Sequence, residues 1–235
     1  MPKVRRILTS RSGGVSAAPY ESFNLALHVG DDPAAVTANR KRLAGAAGLA
    51  PDHVVWMEQI HGATVAAVDG PRAEPVEATD GLVTATPGVA VAVLVADCVP
   101  VLLADPLAGV VAAVHAGRVG AAAGVIPRAV ERFRELGGDP ARSDALLGPA
   151  VCGACYEVPA DMQAAVESRL PGSAVRTRRG TPGLDLRAGL TRQLAGLGVA
   201  SVVTDPRCTA EDPELFSHRR DGTTGRQAAV AWIEA

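Results

Sequence analysis

The stretch VAVAVLVADCVPVLLADPLAGVVAAVHAG, residues 89–117, contains three apolar runs separated by short polar breaks. Residues 89–96 are rich in valine, which favours β-strand, and residues 99–104 and 109–114 are equally short and apolar. The break DPLAG between the second and third runs has the composition of a tight turn. Because runs of this kind have no polar face, we predict three successive buried strands.

Outward from this stretch, the sequence predicts helices as well as strands. Asp31 or Asp32 can cap a first helix, and Pro33 suits its first turn. The predicted helices span residues 31–49, 127–136, 159–170 and 184–199, and the further strands span residues 54–60, 63–68 and 200–205. Residues 69–81 and 171–183 are predicted loops. We expect one α+β domain, residues 1–235, with mixed β-sheets.

Composition limits the classes of function. The chain is 48% apolar and 20% charged, as folded globular proteins are, and its net charge is −2. This charge and the 3% aromatic content disfavour nucleic-acid partners. Uninterrupted apolar runs are too short to span a membrane, and the amino-terminal residues lack a secretion signal. We therefore predict a cytoplasmic location without membrane partners, and the sequence sets no oligomeric state.

Three residues of metal-binding types lie at or just beyond the ends of predicted strands. His61 follows residues 54–60, Cys98 follows residues 89–96, and His115 follows residues 109–114. If these strand ends converge, two imidazoles and one thiolate suit zinc and leave a fourth coordination position open, as in catalytic sites. Asp97, beside the thiolate, is a candidate for proton transfer. The sequence thus predicts a catalytic group of His61, Cys98, His115 and Asp97, with the first three as metal ligands.

Other interpretations of the same residues stay open. Taken singly, a cysteine or histidine near a strand is more often structural than catalytic. A metal-free cysteine hydrolase would use Cys98 as nucleophile and His115 as base. The last alternative is a role without catalysis.

The remaining three cysteines form no complete metal motif along the sequence. Cys152 and Cys155 make a CxxC pair, which is either redox-active or half of a structural metal site. The sequence has no second CxxC to complete such a site. We interpret Cys152 and Cys155 as two unpaired thiols, and Cys208 as a thiol without a partner.

Ordered motifs along nearly the whole chain resemble the YfiH-type laccase-domain family, also called polyphenol-oxidase-like or multifunctional purine nucleoside phosphorylases. They include FNLALHVGDD, MEQIHGATV, TDGLVT, ADCVPVLLADP, VHAGRVG, CYEV and FSHRRDGTTGR. The resemblance implies an αββα sandwich-like fold and a zinc site of His61, Cys98 and His115. It also implies phosphorolysis of adenosine, inosine, guanosine and methylthioadenosine, together with adenosine deaminase activity, and hence nucleoside and phosphate as partners. The family's older name suggests a copper-dependent polyphenol oxidase as an alternative, which is disfavoured because the five histidines are scattered and form no H-x-H pair.

The substrate-binding residues carry weaker signals. The family usually has HAGWRG where this chain has HAGRVG, so the resemblance assigns no role to Arg118. The zinc-deaminase signature H-x-E is absent, which leaves Asp97 as the candidate proton carrier. Glycine-flanked loops with exposed N–H groups suit anions. We therefore predict that Arg11 and Arg220, together with Asn24 and His28 of FNLALHVGDD, bind the substrates.

Overall fold

A computed structural model describes residues 2–235 and shows helices and strands interleaved along the chain. The longer helices are α1 (Pro33–Ala47), α3 (Val125–Glu135), α4 (Ala160–Arg169) and α5 (Leu186–Gly196), with short α2 (Arg118–Ala122) and α6 (His218–Asp221). The first strands are β1 (Val4–Leu8), β2 (Val54–Val55), β3 (Val65–Ala67), β4 (Gly81–Thr84), β5 (Ala90–Val95), β6 (Val99–Asp105) and β7 (Val110–Ala116). The later strands are β8 (Asp144–Leu147), β9 (Ala174–Arg176), β10 (Pro182–Leu184), β11 (Ser201–Thr204) and β12 (Gln227–Ile233). Within the described residues, every helix is too short or too polar to cross a bilayer.

The three successive strands predicted from residues 89–117 are β5, β6 and β7. Strands β6 and β7 form an antiparallel hairpin at the centre of a six-stranded sheet of order β11-β8-β6-β7-β4-β3. Strand β5 crosses to a four-stranded sheet of order β1-β12-β5-β2. Strands β9 and β10 form a separate two-stranded ribbon. The apolar stretch therefore supplies central strands to both large sheets, and all residues of these three strands are buried.

The two large sheets face each other and carry helices on their outer sides. Alternation along β5 explains this, because side chains at every second position point to the same face. Val91, Val93 and Val95 join the core between the sheets, whereas Ala90, Ala92 and Leu94 join the core under α1. The opposite face of the six-stranded sheet packs against α3, α4 and α5. The arrangement is the predicted αββα sandwich of α+β class.

Two predicted segments differ from the structure. Residues 54–60 are strand only at Val54–Val55, after which the backbone N–H of Glu58 pairs with the carbonyl of Val76. The Gln59 side chain then makes two hydrogen bonds of 2.8 Å with the backbone of Leu94, replacing strand pairing with β5. Residues 171–183, predicted as a loop, contain β9 and most of β10, whose pairing places Gly183 opposite Val175.

Candidate metal centre and cavity

The register of the β6–β7 hairpin brings two of the three predicted ligands together. Pro100 lies opposite His115, so Cys98, just before β6, lies at the same end of the hairpin as Gly117. His61 reaches this end from the loop between β2 and β3. The ligand atoms of His61, Cys98 and His115 all lie within 4.8 Å of one another. The convergence that the sequence interpretation requires is therefore present.

Asp80, which the sequence interpretation did not single out, connects the two histidines. It directly precedes β4, and its fully buried carboxylate accepts the Nδ1–H of His115 at 2.8 Å. The same carboxylate accepts the backbone N–H groups of Ile60, His61 and Gly62 at 3.3, 3.0 and 2.6 Å. Because Nδ1 of His115 carries the shared proton, Nε2 keeps its lone pair free for a metal ion.

The backbone around the three ligands adopts conformations that few side-chain-bearing residues adopt. His61 has φ of 60° and Asp97 has φ of 87°, both in the left-handed region that favours glycine. Such outliers tend to occur at functional sites. Gly117 leaves the space that the ligands need, since a Cβ there would lie 2.9 Å from the Cys98 sulfur and 3.1 Å from the His61 ring.

Electrostatics at the centre favours a thiolate beside a protonated imidazole when a cation is absent. Burial raises the pKa of Cys98, but hydrogen bonds and charge from His115 and His61 outweigh this and lower it to about 6. Burial lowers the pKa of His115, but the Asp80 and Cys98 groups outweigh this and raise it to about 9. Hydrogen bonds from His115 and Gly62 hold the pKa of Asp80 below its usual value despite burial.

The donor set and its spacing fit a tetrahedral divalent ion. Zn–S and Zn–N bonds of about 2.3 and 2.1 Å at a tetrahedral angle place the two donor atoms about 3.6 Å apart. The Cys98 sulfur and the His61 Nε2 atom are 4.0 Å apart, so a small movement would complete the geometry. Three protein ligands leave one coordination position free, and the three ligands line a cavity.

This cavity has a volume of about 700 Å³, within the range of small-molecule sites. The three candidate ligands lie on its wall together with Arg118, Arg219 and Arg226. The Arg226 guanidinium donates to the carbonyls of Thr224 and Gly225, and within residues 2–235 it forms no ion pair with a carboxylate. The remaining lining includes Gln59, Tyr156, Leu186 and His218.

Comparison with known proteins places this site in a family. The family described as multi-copper polyphenol oxidoreductase laccase matches residues 5–234. The chain belongs to this family.

Relatives of this laccase-family member cover almost its whole length. Proteins named purine nucleoside phosphorylase from Corynebacterium glutamicum and Mycobacterium tuberculosis are 59% and 60% identical over 232 residues. These alignments cover 98% and 99% of this chain, and 94% and 93% of the relatives. The solved structure of YfiH from Bacillus licheniformis has a TM-score of 0.92 at 32% identity, covering 98% of this chain and 93% of the other. That of YlmD from Geobacillus stearothermophilus has a TM-score of 0.92 at 35% identity, covering 99% and 92%.

In this laccase-family member, Asp97 lies on the cavity wall but its carboxylate is already engaged. It accepts hydrogen bonds from the hydroxyls of Thr209 and Ser217 at 2.6 and 2.7 Å. It also accepts the backbone N–H of Arg219 at 2.7 Å. The Asp97 carboxylate therefore fixes two carboxyl-terminal segments beside Cys98, an arrangement that suits positioning better than proton transfer.

The two predicted substrate residues of FNLALHVGDD lie in different environments. His28 lines the cavity, and burial together with the charges of Arg226 and Arg40 lowers its pKa. Asn24 is fully buried away from the cavity lining, and its amide bonds the backbone of Ala26 and the carboxylate of Asp31. Its observed contacts hold a turn, because both ends of the amide are used within the chain.

The two predicted substrate arginines, Arg11 and Arg220, do not line this cavity. Arg11 donates to the carbonyl of Glu21, and its guanidinium lies 5.1 Å from the centre of the Phe216 ring. Arg220 pairs with Asp221 and donates to three backbone carbonyls, so its donors are used in holding the carboxyl-terminal loops. These contacts give both arginines a structural role, and their binding of substrate stays a prediction.

Several cavity residues gave little signal in the sequence. Arg118, whose motif departs from the usual family pattern, begins α2 and lines the cavity. Arg226 lies in the carboxyl-terminal motif FSHRRDGTTGR, and the sequence alone does not show which arginine of this motif faces the cavity. Gln59 and Tyr156 were not predicted, because the loops that carry them are irregular.

Cys152, Cys155 and Cys208 are free thiols, as the sequence predicts, but they lie close together in space. Strand β8 runs parallel to β11, so the segments that follow them leave the sheet at the same edge. The three sulfurs and a carboxylate oxygen of Glu211 all lie within 4.8 Å of one another. Sequence separation concealed this, since Cys208 lies 56 residues after Cys152.

Proposed function

We propose that this chain is a zinc-dependent purine nucleoside phosphorylase with adenosine, inosine, guanosine and methylthioadenosine as substrates. The relatives of 59–60% identity that are named purine nucleoside phosphorylase support this activity. The proposed partners are a nucleoside and phosphate. A cytoplasmic location and the lack of nucleic-acid or membrane partners stay predictions from the sequence.

The observation that carries the proposal is one cavity holding both a metal-ligand triad and three arginines that form no ion pair within residues 2–235. Arg118, Arg219 and Arg226 line the same space as the triad. A guanidinium binds phosphate through parallel hydrogen bonds and stays charged at neutral pH. The volume of about 700 Å³ can hold a nucleoside and an anion together.

The proposed reaction joins a phosphate oxygen to C1′ of the ribose while the bond from C1′ to the purine nitrogen breaks. Its products are the free purine, which takes up a proton, and ribose 1-phosphate, or the 5-methylthio form of this sugar phosphate when methylthioadenosine is the substrate. Arg226 and Arg118 would hold the phosphate near C1′ and offset its negative charge. Arg226 is suited to this because burial and its backbone contacts hold it in place beside the cavity.

The zinc ion, when bound by His61, Cys98 and His115, would supply a positive charge that stabilises negative charge developing on a reacting oxygen or nitrogen. Asp80 would keep His115 in the tautomer that presents Nε2 to the ion. His28 has a lowered pKa and would be uncharged at neutral pH. An uncharged imidazole can hydrogen-bond the purine or the sugar without attracting phosphate.

Zinc fits these residues better than copper. A mononuclear copper site with one thiolate and two imidazoles commonly has a methionine as axial ligand. In residues 2–235, no methionine lines the cavity. Of the two potential metal-binding clusters in this part of the chain, only the triad contains histidine, whereas several copper ions would need many imidazoles.

A metal-free thiol hydrolase is the second candidate, favoured by one observation. The pKa values of about 6 for Cys98 and about 9 for His115 describe a reactive thiolate beside an imidazolium at neutral pH. Elemental analysis of protein purified without chelator separates the two candidates. A zinc content about one per chain higher in the unaltered protein than in Cys98→Ala supports the phosphorylase, whereas equal zinc contents of the two proteins support the hydrolase.

Adenosine deaminase activity is proposed as a second reaction of the same site. Replacement of the 6-amino group by water needs no phosphate, whereas phosphorolysis consumes it. Omitting phosphate should therefore stop formation of ribose 1-phosphate and leave release of ammonia from adenosine unchanged. If both reactions stop together, water is not the attacking group in the proposed deamination.

The phosphorylase proposal is tested by product analysis with adenosine or inosine and phosphate. Cys98→Ala and His61→Ala should abolish turnover with unchanged far-ultraviolet circular dichroism, because each removes a metal ligand. His53→Ala is the matched control, since His53 bonds the carbonyl of Gly88 and lies outside the cavity lining. Full turnover in Cys98→Ala or His61→Ala would refute the proposed site.

A separate variant tests the anion site. Arg226→Ala should raise the KM for phosphate about 10–100-fold, the effect of losing a charge-assisted hydrogen bond, and change the KM for nucleoside little. Arg132→Ala is the control, because Arg132 pairs with Glu135 on the outer side of α3. An unchanged KM for phosphate in Arg226→Ala would remove Arg226 from the site.

A further inference from the structure

A second cluster of metal-binding side chains lies outside the candidate metal centre. We call Cys152, Cys155, Cys208 and Glu211 the thiol cluster. Its four donor atoms all lie within 4.8 Å of one another. The pairing of Ala150 with Cys208 continues the parallel pairing of β8 with β11, and this register sets the two cysteine-bearing segments side by side.

The two segments have the same spacing and the same backbone turn. One is Cys152-x-x-Cys155 and the other is Cys208-x-x-Glu211. In the first turn, the N–H groups of Cys155 and Tyr156 donate to the carbonyl of Cys152 at 3.0 and 2.9 Å. In the second turn, the N–H groups of Glu211 and Asp212 donate to the carbonyl of Cys208 at 3.0 and 2.8 Å. Each turn therefore presents two metal-ligand side chains, from residues three positions apart, to a common point.

The donor chemistry favours zinc in a closed site. Three thiolates and one carboxylate complete a tetrahedral shell and leave no position for substrate, which is the pattern of structural zinc. The backbone N–H of Cys152 donates to the Cys208 sulfur at 3.3 Å, as outer contacts of metal-bound thiolates do. A disulfide would use only two of the three thiols and would leave the convergence of the third thiol and Glu211 unexplained.

The charges around the thiol cluster also fit a bound dication. Three thiolates and one carboxylate carry four negative charges, so the site with bound Zn²⁺ keeps a net charge of about −2. Arg178 already pairs with Glu211, and its backbone N–H donates to the carbonyl of Ala154 inside the first turn. Arg179, Arg219 and Arg220 line the adjoining surface cavity. Arg178 and Arg179 supply compensating positive charge, whereas Arg220 is already paired with Asp221.

The thiol cluster lies behind the wall of the main cavity. Val151 and Tyr156, which flank the first turn, line that cavity, and the N–H of Val151 donates to the carbonyl of Asp97 at 3.0 Å. Thr209, in the second turn, donates to the Asp97 carboxylate at 2.6 Å. We propose that Cys152, Cys155, Cys208 and Glu211 bind a second, structural Zn²⁺ that ties these two turns together. The ion replaces the thiol protons, which pass to solvent.

The chain offers a direct test that does not depend on the proposed function. It has four cysteines, so Cys98→Ala removes the first site and leaves only the thiols of the cluster. This variant is freed of metal with chelator under a non-thiol reductant and titrated with Co²⁺. We expect one Co²⁺ per chain, with visible absorption of a tetrahedral ion and thiolate-to-cobalt charge transfer in the near ultraviolet. Zn²⁺ should then displace the cobalt and abolish both bands.

Matched variants locate the ion. Cys98→Ala combined with Cys155→Ser should lose the charge-transfer band, whereas Cys98→Ala combined with His53→Ala should keep it. His61→Ala, which retains all four thiols, gives a second route if Cys98→Ala does not fold, because its bound zinc should fall from two per chain to one. Failure of reduced Cys98→Ala, with three free thiols, to bind cobalt would overturn the proposal. Retention of the charge-transfer band in Cys98→Ala combined with Cys155→Ser would also overturn the proposal.

Discussion

At the scale of single residues, Asp80 links the two histidines of the triad. One buried carboxylate holds the Nδ1–H of His115 and three backbone N–H groups of the loop that carries His61. Asp80→Asn should weaken zinc binding about 10–100-fold, because an amide can no longer accept all of these hydrogen bonds. Competition with a chromophoric chelator measures the affinity.

The control for Asp80→Asn is Asp105→Asn. Asp105 is also fully buried and accepts several N–H groups, but it lies at the opposite end of β6 from Cys98. Both variants should lose about 1–3 kcal/mol of unfolding free energy, the cost of leaving buried donors unpaired. Only Asp80→Asn should lose zinc affinity, and equal loss in both variants would show that the effect is general destabilisation.

Cys98 provides a pH-dependent test at the same scale. In metal-free protein, hydrogen bonds from His115 and His61 outweigh burial and lower the pKa of Cys98 to about 6, against about 8.5 for an ordinary thiol. The thiolate fraction, and with it the rate of alkylation by iodoacetamide, should rise as pH increases through about 6. Burial and the neighbouring thiols raise the pKa of Cys155 to about 12, so Cys155 should stay slow at pH 7. A midpoint near 8.5 for Cys98 would contradict the described electrostatics, and added zinc should suppress the reaction.

The sequence carried unequal signals for individual site residues. His61, Cys98 and His115 stand out because each is a strong ligand placed next to an apolar run and a chain-bending residue. Asp80 has no such context, since the four hydrogen-bond partners of its carboxylate lie 18–35 residues away along the chain. Arg11 and Arg220 lie near glycines in the sequence, as Arg226 does. Only the fold shows that Arg226 lines the cavity, whereas the other two contact other parts of the chain.

At the scale of elements, the sequence predicted the long apolar runs as strands but missed β1, β4, β8 and β12, of which β4 and β12 are wholly buried. Strands β5, β6 and β7 are continuous apolar runs, and helices α1, α3, α4 and α5 were each predicted with ends within a few residues of those observed. The ribbon of β9 and β10 was missed because its residues are largely polar and glycine-rich. Residues 56–60 were predicted as strand but form a loop, in which Trp56 and Met57 pack against the sheet.

Helix α1 offers a prediction of stability with an internal control. Gly45 is exposed inside α1 and a Cβ there would contact nothing within 4 Å, so Gly45→Ala should stabilise the protein by about 0.5–1 kcal/mol. Gly48 ends the helix at φ of 71°, so Gly48→Ala should destabilise it by about 1 kcal/mol. Urea unfolding measures both, and a shift of the same sign in both variants would contradict the described helix end.

At the scale of the whole molecule, the two large sheets share one core. Side chains from β5 and β12 of one sheet pack against side chains from β6 and β7 of the other. We therefore propose that residues 1–235 unfold as one unit. Both tryptophans, Trp56 and Trp232, lie in the core under α1, so their fluorescence follows the four-stranded sheet, whereas circular dichroism follows all elements. The two urea transitions should coincide, and separate midpoints would show two independent domains.

The central claim is that His61, Cys98 and His115 hold one zinc ion at the wall of the main cavity. Anomalous diffraction on either side of the zinc absorption edge, from crystals of protein purified without chelator, tests it most directly. The account predicts an anomalous peak about 2.0–2.3 Å from Nε2 of His61, Nε2 of His115 and Sγ of Cys98. Fully active crystals without density at this position, or with zinc only at the thiol cluster, would contradict it.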